Sequence, residues 1–209
     1  MRRLAGVLFI VGAITFIVGA ITLGFTGFFD AEELNSQIAA IENNRLVWSI
    51  GALVMLVGAV TTASGLVVLA RHLGQTSSQR STKIWTQIGV VLAVLGGLAF
   101  VISQIAALVL DAETFVNIGD SVGMILFATS SIGTLATTII LGIVLFRRGQ
   151  KWLGGFLVVV MVLALVTGAF FVPLTNYVPL FIAGLVLALR PEKSSSMLHN
   201  TELDAAQAV

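Results

Sequence analysis

Side chains that could act as acid, base, nucleophile or metal ligand are few in this sequence, and they avoid its apolar blocks. Cysteine is absent, and the only histidines are His72 and His199. Without cysteine there are no disulfides, no Fe–S ligation and no thiolate zinc. The blocks Leu4–Phe25, Leu46–Ala70, Ile84–Leu110, Ser121–Phe146 and Trp152–Leu189 hold no Asp, Glu, Lys, Arg or His. Proton relays and haem or retinal sites use ionisable groups inside such blocks. No HExxH, GxSxG, phosphate-loop or Rossmann glycine pattern occurs either. The residues therefore point to a non-catalytic chain with no cofactor and no metal. Asp30, Asp111 and Asp120 are better explained as helix-end residues than as cation ligands.

What remains is uncharged polarity. The fourth apolar block carries Ser130, Ser131, Thr134, Thr137 and Thr138. At about 100° per residue, Gly123, Ser130, Thr134 and Thr137 share one stripe, opposite Ile125, Ile132 and Ile139. The third block adds Ser103 and Gln104, and Asn176 stands near the start of the last helix. A Gln amide in hydrocarbon needs partners. Gln104, Ser130, Thr134 and Asn176 are thus expected to face inward as a candidate ligand cavity, opening outward between the third, fourth and sixth apolar helices. The alternative is that these hydroxyls bond to their own i−4 carbonyls and to neighbouring helices.

The blocks that must position these groups define the class. The chain has 209 residues, 57% hydrophobic and 10% charged, against about 25% charge in a soluble domain. A spanning helix needs roughly 20 apolar residues. The last block is long enough for two, with Pro173–Tyr177 read as the turn between them. The expectation is an all-α membrane protein with six spans over residues 1–190 and a polar cytoplasmic tail over 191–209. The first block exceeds the ~7–15 residues of a signal-peptide core and lacks an A-x-A site, so it reads as a retained helix.

With six spans, Arg2, Arg3, Arg71, Arg80, Lys83, Arg147, Arg148, Lys151, Arg190 and Lys193 share one side, and only Arg45 lies opposite. Basic residues mark the cytoplasmic side, so both termini are expected there. Asp30, Glu32, Glu33, Glu42, Asp111, Glu113 and Asp120 fall outside. Trp48, Trp85, Trp152 and Tyr177 sit near span starts, where amphipathic rings anchor at the interface.

The stretch GAITFIVGAITLGF repeats a small residue every seven positions: Ala5, Gly12 and Gly19. Gly51, Gly58 and Gly65 do the same in the second span, and Gly89 and Gly96 recur in the third. Helix association in lipid depends on close contact, so small residues mark interfaces. Gly12, Gly19, Gly51, Gly58 and Gly65 are assigned to helix packing. Asp30-Ala-Glu-Glu33 reads as a capping box, opening a short amphipathic outer helix over 31–42 with Leu34, Ile38 and Ile41 on one face. Asp111 is expected to end the third span. Gly119-Asp-Ser121 reads as a stop followed by an N-cap.

The six-span layout, the long first outer loop and the segment FRRGQKWLGG…VPLTNYVPLFIAGLVLALR resemble an uncharacterised family of bacterial six-helix integral membrane proteins, a domain of unknown function. The resemblance implies a bacterial origin and a plasma (inner) membrane location, and it supplies no functional residues. The expected function is a non-catalytic accessory or structural subunit of a membrane assembly, meeting the bilayer and other subunits or copies of itself, and no nucleic acid. The alternative is a small-molecule transporter or substrate-binding subunit.

The topology has a direct test, because the chain has no native cysteine. In intact cells Ser36→Cys should react with a membrane-impermeant maleimide and Ser78→Cys should not. Labelling of both from outside would refute the assignment.

Overall fold

The computed structural model describes residues 1–169 and 173–189, without the side chains of Asp120, Pro173 and Leu174. The expected polar tail, including Arg190 and Lys193, lies outside the described residues. Among those described, every regular element is helical. The apolar helices are α1 (Arg2–Gly24), α3 (Arg45–Gln75), α4 (Arg80–Val109), α6 (Met124–Arg147), α7 (Lys151–Val166) and α8 (Pro173–Leu189). Two short helices, α2 (Leu34–Asn43) and α5 (Ala112–Ile118), lie in the first and third connections. Four helices are long and apolar enough to cross a membrane: α1, α3, α4 and the helix ending in α6. The shorter apolar helices α7 and α8 have 16 and 17 residues.

Neighbours follow the order α8, α1, α3, α4, α6, α7, with α3 and α6 also touching. The driving contacts are backbone on backbone. A Cβ placed on Gly12 would lie 2.9 Å from the Gly58 carbonyl oxygen and also strike Thr62. One on Gly58 would lie 2.8 Å from the Gly12 oxygen, and one on Gly19 would lie 2.5 Å from the Met55 nitrogen. Gly51 receives Leu23, and Gly65 receives the Phe9 ring at 2.8 Å. The seven-residue stripe thus seats α1 antiparallel on α3. The same device recurs at Gly96 against Gly133 (α4–α6), where the period had marked Gly96, and, where it gave no signal, at Gly6 against Gly184 (α1–α8) and Gly142 against Gly154 (α6–α7).

The opposite face of α1 shows why a lipid solvent is needed. Leu4, Val7, Val11, Ile14, Val18 and Ile21 are all exposed, and a soluble protein does not leave so continuous an apolar stripe in water. Ile125 and Ile132 are likewise exposed on α6, as expected, but Ile139 packs beside Leu135, Met161 and Ala164 because α7 covers that part of the helix.

Two core clusters divide the bundle lengthwise. One gathers Phe9, Leu69, Leu145 and Leu187, and the other Phe16, Trp48, Phe100 and Tyr177. The basic connections meet beside the first. An Arg2 guanidinium nitrogen donates to Gln150 Oε1 at 3.1 Å. Arg148 donates to the Leu73 carbonyl and the Thr76 hydroxyl, each at 2.6 Å. At the other end Arg45 donates to the Leu110 and Leu108 carbonyls at 2.7 and 3.3 Å, satisfying the last turn of α4.

Several local expectations are corrected. Asp30 does not cap α2. It closes a 3₁₀ turn over Phe28–Asp30 that follows Gly27 in the left-handed region (φ 75°), and Glu33 takes the cap position without a side-chain bond. The outer helix therefore starts at Leu34. Its Ile41 is buried, Ile38 is half-buried and Leu34 is exposed. The identical triplet Asp111-Ala-Glu does cap: Asp111 accepts from the Thr114 N–H at 2.8 Å and starts α5. Asp111 thus opens a helix instead of ending one. Gly119-Asp-Ser121 is not a stop, because a π-helical turn over Gly119–Gly123 carries the chain into α6. The segment Pro173–Tyr177 is the start of α8, with Pro in the first turn, where its missing N–H costs nothing. The break falls earlier, where Gly168 (φ 72°) ends α7. Trp48 and Tyr177 are buried, so only Trp85 and Trp152 keep an anchoring position.

The glycine seam sets a clear stability order. Gly12→Leu or Gly58→Leu must push the two helices apart, whereas Ile17→Leu conserves volume and should cost under about 1.5 kcal/mol. Thermal unfolding in mild detergent should show both glycine variants losing far more than the isoleucine variant. Three equal midpoints would overturn the packing argument.

Candidate functional site

All four expected cavity residues turn inward. Ser130 and Asn176 are buried and Thr134 is half-buried, and Gln104 is 9% exposed. Ser130, Thr134 and Asn176 come together with Ser131, Phe16, Phe100, Phe127 and Tyr177 around a space of only about 10 Å³. Gln104 is one turn beyond Phe100 on α4 and does not join that lining. The tight aromatic packing explains the small volume. Phe16 stacks on Tyr177 with centroids 3.7 Å apart, and Phe100 lies 5.6 Å from Phe16. A drug-sized site takes roughly 300–1,000 Å³, and about one water needs 10–15 Å³. The polar cluster is real, but it is not a ligand chamber.

Its hydrogen bonding is uneven. Thr137 donates to the Gly133 carbonyl at 2.7 Å and to the Gly89 carbonyl at 3.2 Å, tying α6 to α4. Thr138 bonds back to the Thr134 carbonyl. These are the interhelical and i−4 bonds of the alternative reading. Gln104 Oε1 and Asn176 Oδ1, by contrast, are buried with no hydrogen-bond partner. Such orphans are rare in native interiors and costly to retain.

Clefts of ligand size lie elsewhere. One of about 490 Å³ opens where the C-terminal end of α4 and the N-terminal end of α6 meet α5 and the Phe28 turn. Its α4 wall is Ile102, Ser103, Ala106 and Leu110, and its α6 wall includes Gly123, Leu126 and Phe127. Helix α8 contributes nothing to the lining, so the expected opening between the third, fourth and sixth apolar helices is replaced by one between the third, the fourth and α5. The cause is local. Helices α4 and α6 meet tightly at Gly96 and Gly133, and beyond that contact the chain between them forms the separate helix α5. A Cβ on Gly119 would meet nothing within 4 Å, so this glycine leaves room instead of closing a contact. Phe127 lines both the cleft and the small polar space and stands between them.

The sequence reading missed this cleft. The usable signal was Asp111-Ala-Glu-Thr, an N-cap pattern directly after an apolar run, which announces a separate helix instead of a loop. The Thr114 N–H, with the Thr114 side chain, holds the exposed Asp111 carboxyl below the usual carboxylate range. The cap contribution is therefore full at neutral pH and fades as pH falls through that lowered value. Among the described residues no group of three His, Asp or Glu side chains could hold a metal ion. Comparison with family models, curated proteins and solved structures gives no match.

The orphaned amides make a prediction with an unusual sign. Replacing a buried unpartnered acceptor by an apolar isostere is neutral or stabilising. Gln104→Met should leave the unfolding midpoint unchanged or raise it. Thr137→Val should lower stability by about 0.6 kcal/mol, the mean for interhelical bonds in a membrane bundle. A large loss for Gln104→Met would show that its oxygen is engaged in the folded protein.

Proposed function

We propose that the chain is a non-catalytic multi-pass protein of a bacterial plasma membrane, with six spans and both termini cytoplasmic, serving as an accessory or structural subunit of a membrane assembly. The carrying observation is the filled interior. Among the described residues, helices packed glycine to glycine leave only about 10 Å³ beside their inward hydroxyls, which supports a role other than carrying a substrate through the bundle. Among the described residues, eight Lys and Arg at the ends joined by Arg2 and Arg148, against Arg45 alone at the other end, support the orientation. At 1.5 Å per residue α7 and α8 reach about 24–26 Å, a little under the ~30 Å core, a mismatch that local thinning accommodates.

Gly12, Gly19, Gly51, Gly58 and Gly65 are consumed within the α1–α3 seam and offer nothing to a partner. The outer helices α2 and α5, which pack on each other, are the surfaces left to recognise another subunit. The transporter alternative requires Phe16, Phe100, Phe127 and Tyr177 to move apart before a substrate could reach Asn176.

A photo-crosslinker at the exposed Ser36 should yield one species of defined stoichiometry in the native membrane. A crosslinker at the lipid-facing Val11 should not. Proteoliposomes should hold entrapped sugars and ions as long as protein-free vesicles. A chain that stays monomeric and uncrosslinked, or a protein-dependent flux, would displace the proposal.

A further inference from the structure

We propose that the outer cleft binds an amphipathic organic cation, its apolar body between α4 and α6 and its charge toward the outer connections. Three observations meet there. The walls are apolar and aromatic, with Phe28, Phe115 and Phe127 in the lining and only Gln37 and Ser103 as polar side-chain handles. A volume of about 490 Å³ lies within the range of small-molecule sites. The third is charge. All six Asp and Glu whose side chains are described (Asp30, Glu32, Glu33, Glu42, Asp111 and Glu113) belong to the two connections that supply the cleft's upper lining.

Among the described residues, the one Lys or Arg at that end is committed elsewhere. Arg45 is bound to the Leu108 and Leu110 carbonyls, and its charge helps lower the Asp111 carboxyl beside it. Six negative charges against one positive leave a net of five negative on these two connections. Such a field concentrates cations and repels anions of the same shape. Aromatic faces add attraction for a cation within about 6 Å of a ring. A neutral lipid tail would gain from the apolar walls alone and would make no use of the acidic rim.

The backbone also keeps the site open. The π-helical turn at Gly119–Gly123 shifts the start of α6, and such turns recur at functional sites. Glycine at 119 and 123 keeps side chains out of the space, in contrast to the glycines of the packing seams.

Tetraphenylphosphonium and tetraphenylborate have the same shape and opposite charge, so they separate electrostatic from apolar binding. Equilibrium dialysis would compare each ion on the protein in phosphatidylcholine nanodiscs with empty discs. The phosphonium should be retained saturably, about tenfold or more tighter than the borate after subtraction of the lipid background. High salt should narrow that gap. Ala106→Phe fills the cleft and should abolish the protein-dependent retention. Ser103→Leu, a smaller intrusion on the same wall, serves if that variant does not fold. Asp30→Asn with Glu113→Gln should weaken phosphonium binding and leave thermal stability unchanged. Equal retention of both ions, retention no greater than in empty discs, or retention indifferent to both cleft-filling variants would overturn the assignment. None of these outcomes bears on the accessory role, which the crosslinking experiment decides separately.

Discussion

Everything in this fold depends on the approach of α1 to α3 at Gly12 and Gly58. In water, two apolar helices gain by burying side chains against each other. In hydrocarbon that gain is largely absent, because lipid tails solvate leucine as well as another leucine does. What is left is contact distance. A glycine on each side lets the carbonyl of one helix touch the Cα region of the other, and dispersion and peptide dipoles then act at short range. Each interior glycine costs up to about 1 kcal/mol of helix propensity. The chain accepts that cost at four interfaces, which fixes α1 as the hinge between α3 and α8 and fixes α6 between α4 and α7.

Close packing also explains where function can and cannot lie. Seams that bring backbones together leave no room for a chamber at the same depth. The Thr137 and Thr138 hydroxyls are thus spent on Gly89 and on their own helix, and Asn176 is buried among aromatic rings. Along the α4–α6 seam, space returns where the glycine pair stops. Beyond Gly96 and Gly133 the chain between α4 and α6 forms α5, anchored by the Asp111 cap, while Arg45 holds the final carbonyls of α4. Trp48 ties this end together. Its indole donates to the Ala107 carbonyl at 3.1 Å while its ring lies against Phe28 and Phe115.

Legibility followed the strength of the local signal. The apolar blocks and the heptad glycines were readable because both are periodic and both answer to one solvent. Gly6, Gly184, Gly142 and Gly154 were not, since each pairs with one distant partner and no spacing along the chain announces it. The inward aim of Gln104, Ser130, Thr134 and Asn176 followed from the cost of a bare amide in lipid. Their failure to form a chamber could not be seen, because it depends on Phe16 and Tyr177 stacking from two helices far apart in sequence.

The two Asp-Ala-Glu triplets show the limit most directly. By local chemistry either aspartate can cap a helix. Asp111 follows Leu110 in extended conformation at the end of α4, which leaves its carboxylate free to turn onto the Thr114 N–H. Asp30 follows Phe28, whose ring is drawn into the Trp48 cluster, and Gly27, whose positive φ starts a tighter turn. Residues 28–30 are then held in that turn, and the helix must wait for Glu33. Tertiary burial of one phenylalanine thus decides a cap two residues away. The same burial places Phe28 on the rim of the outer cleft and the acidic segment 30–33 directly after it.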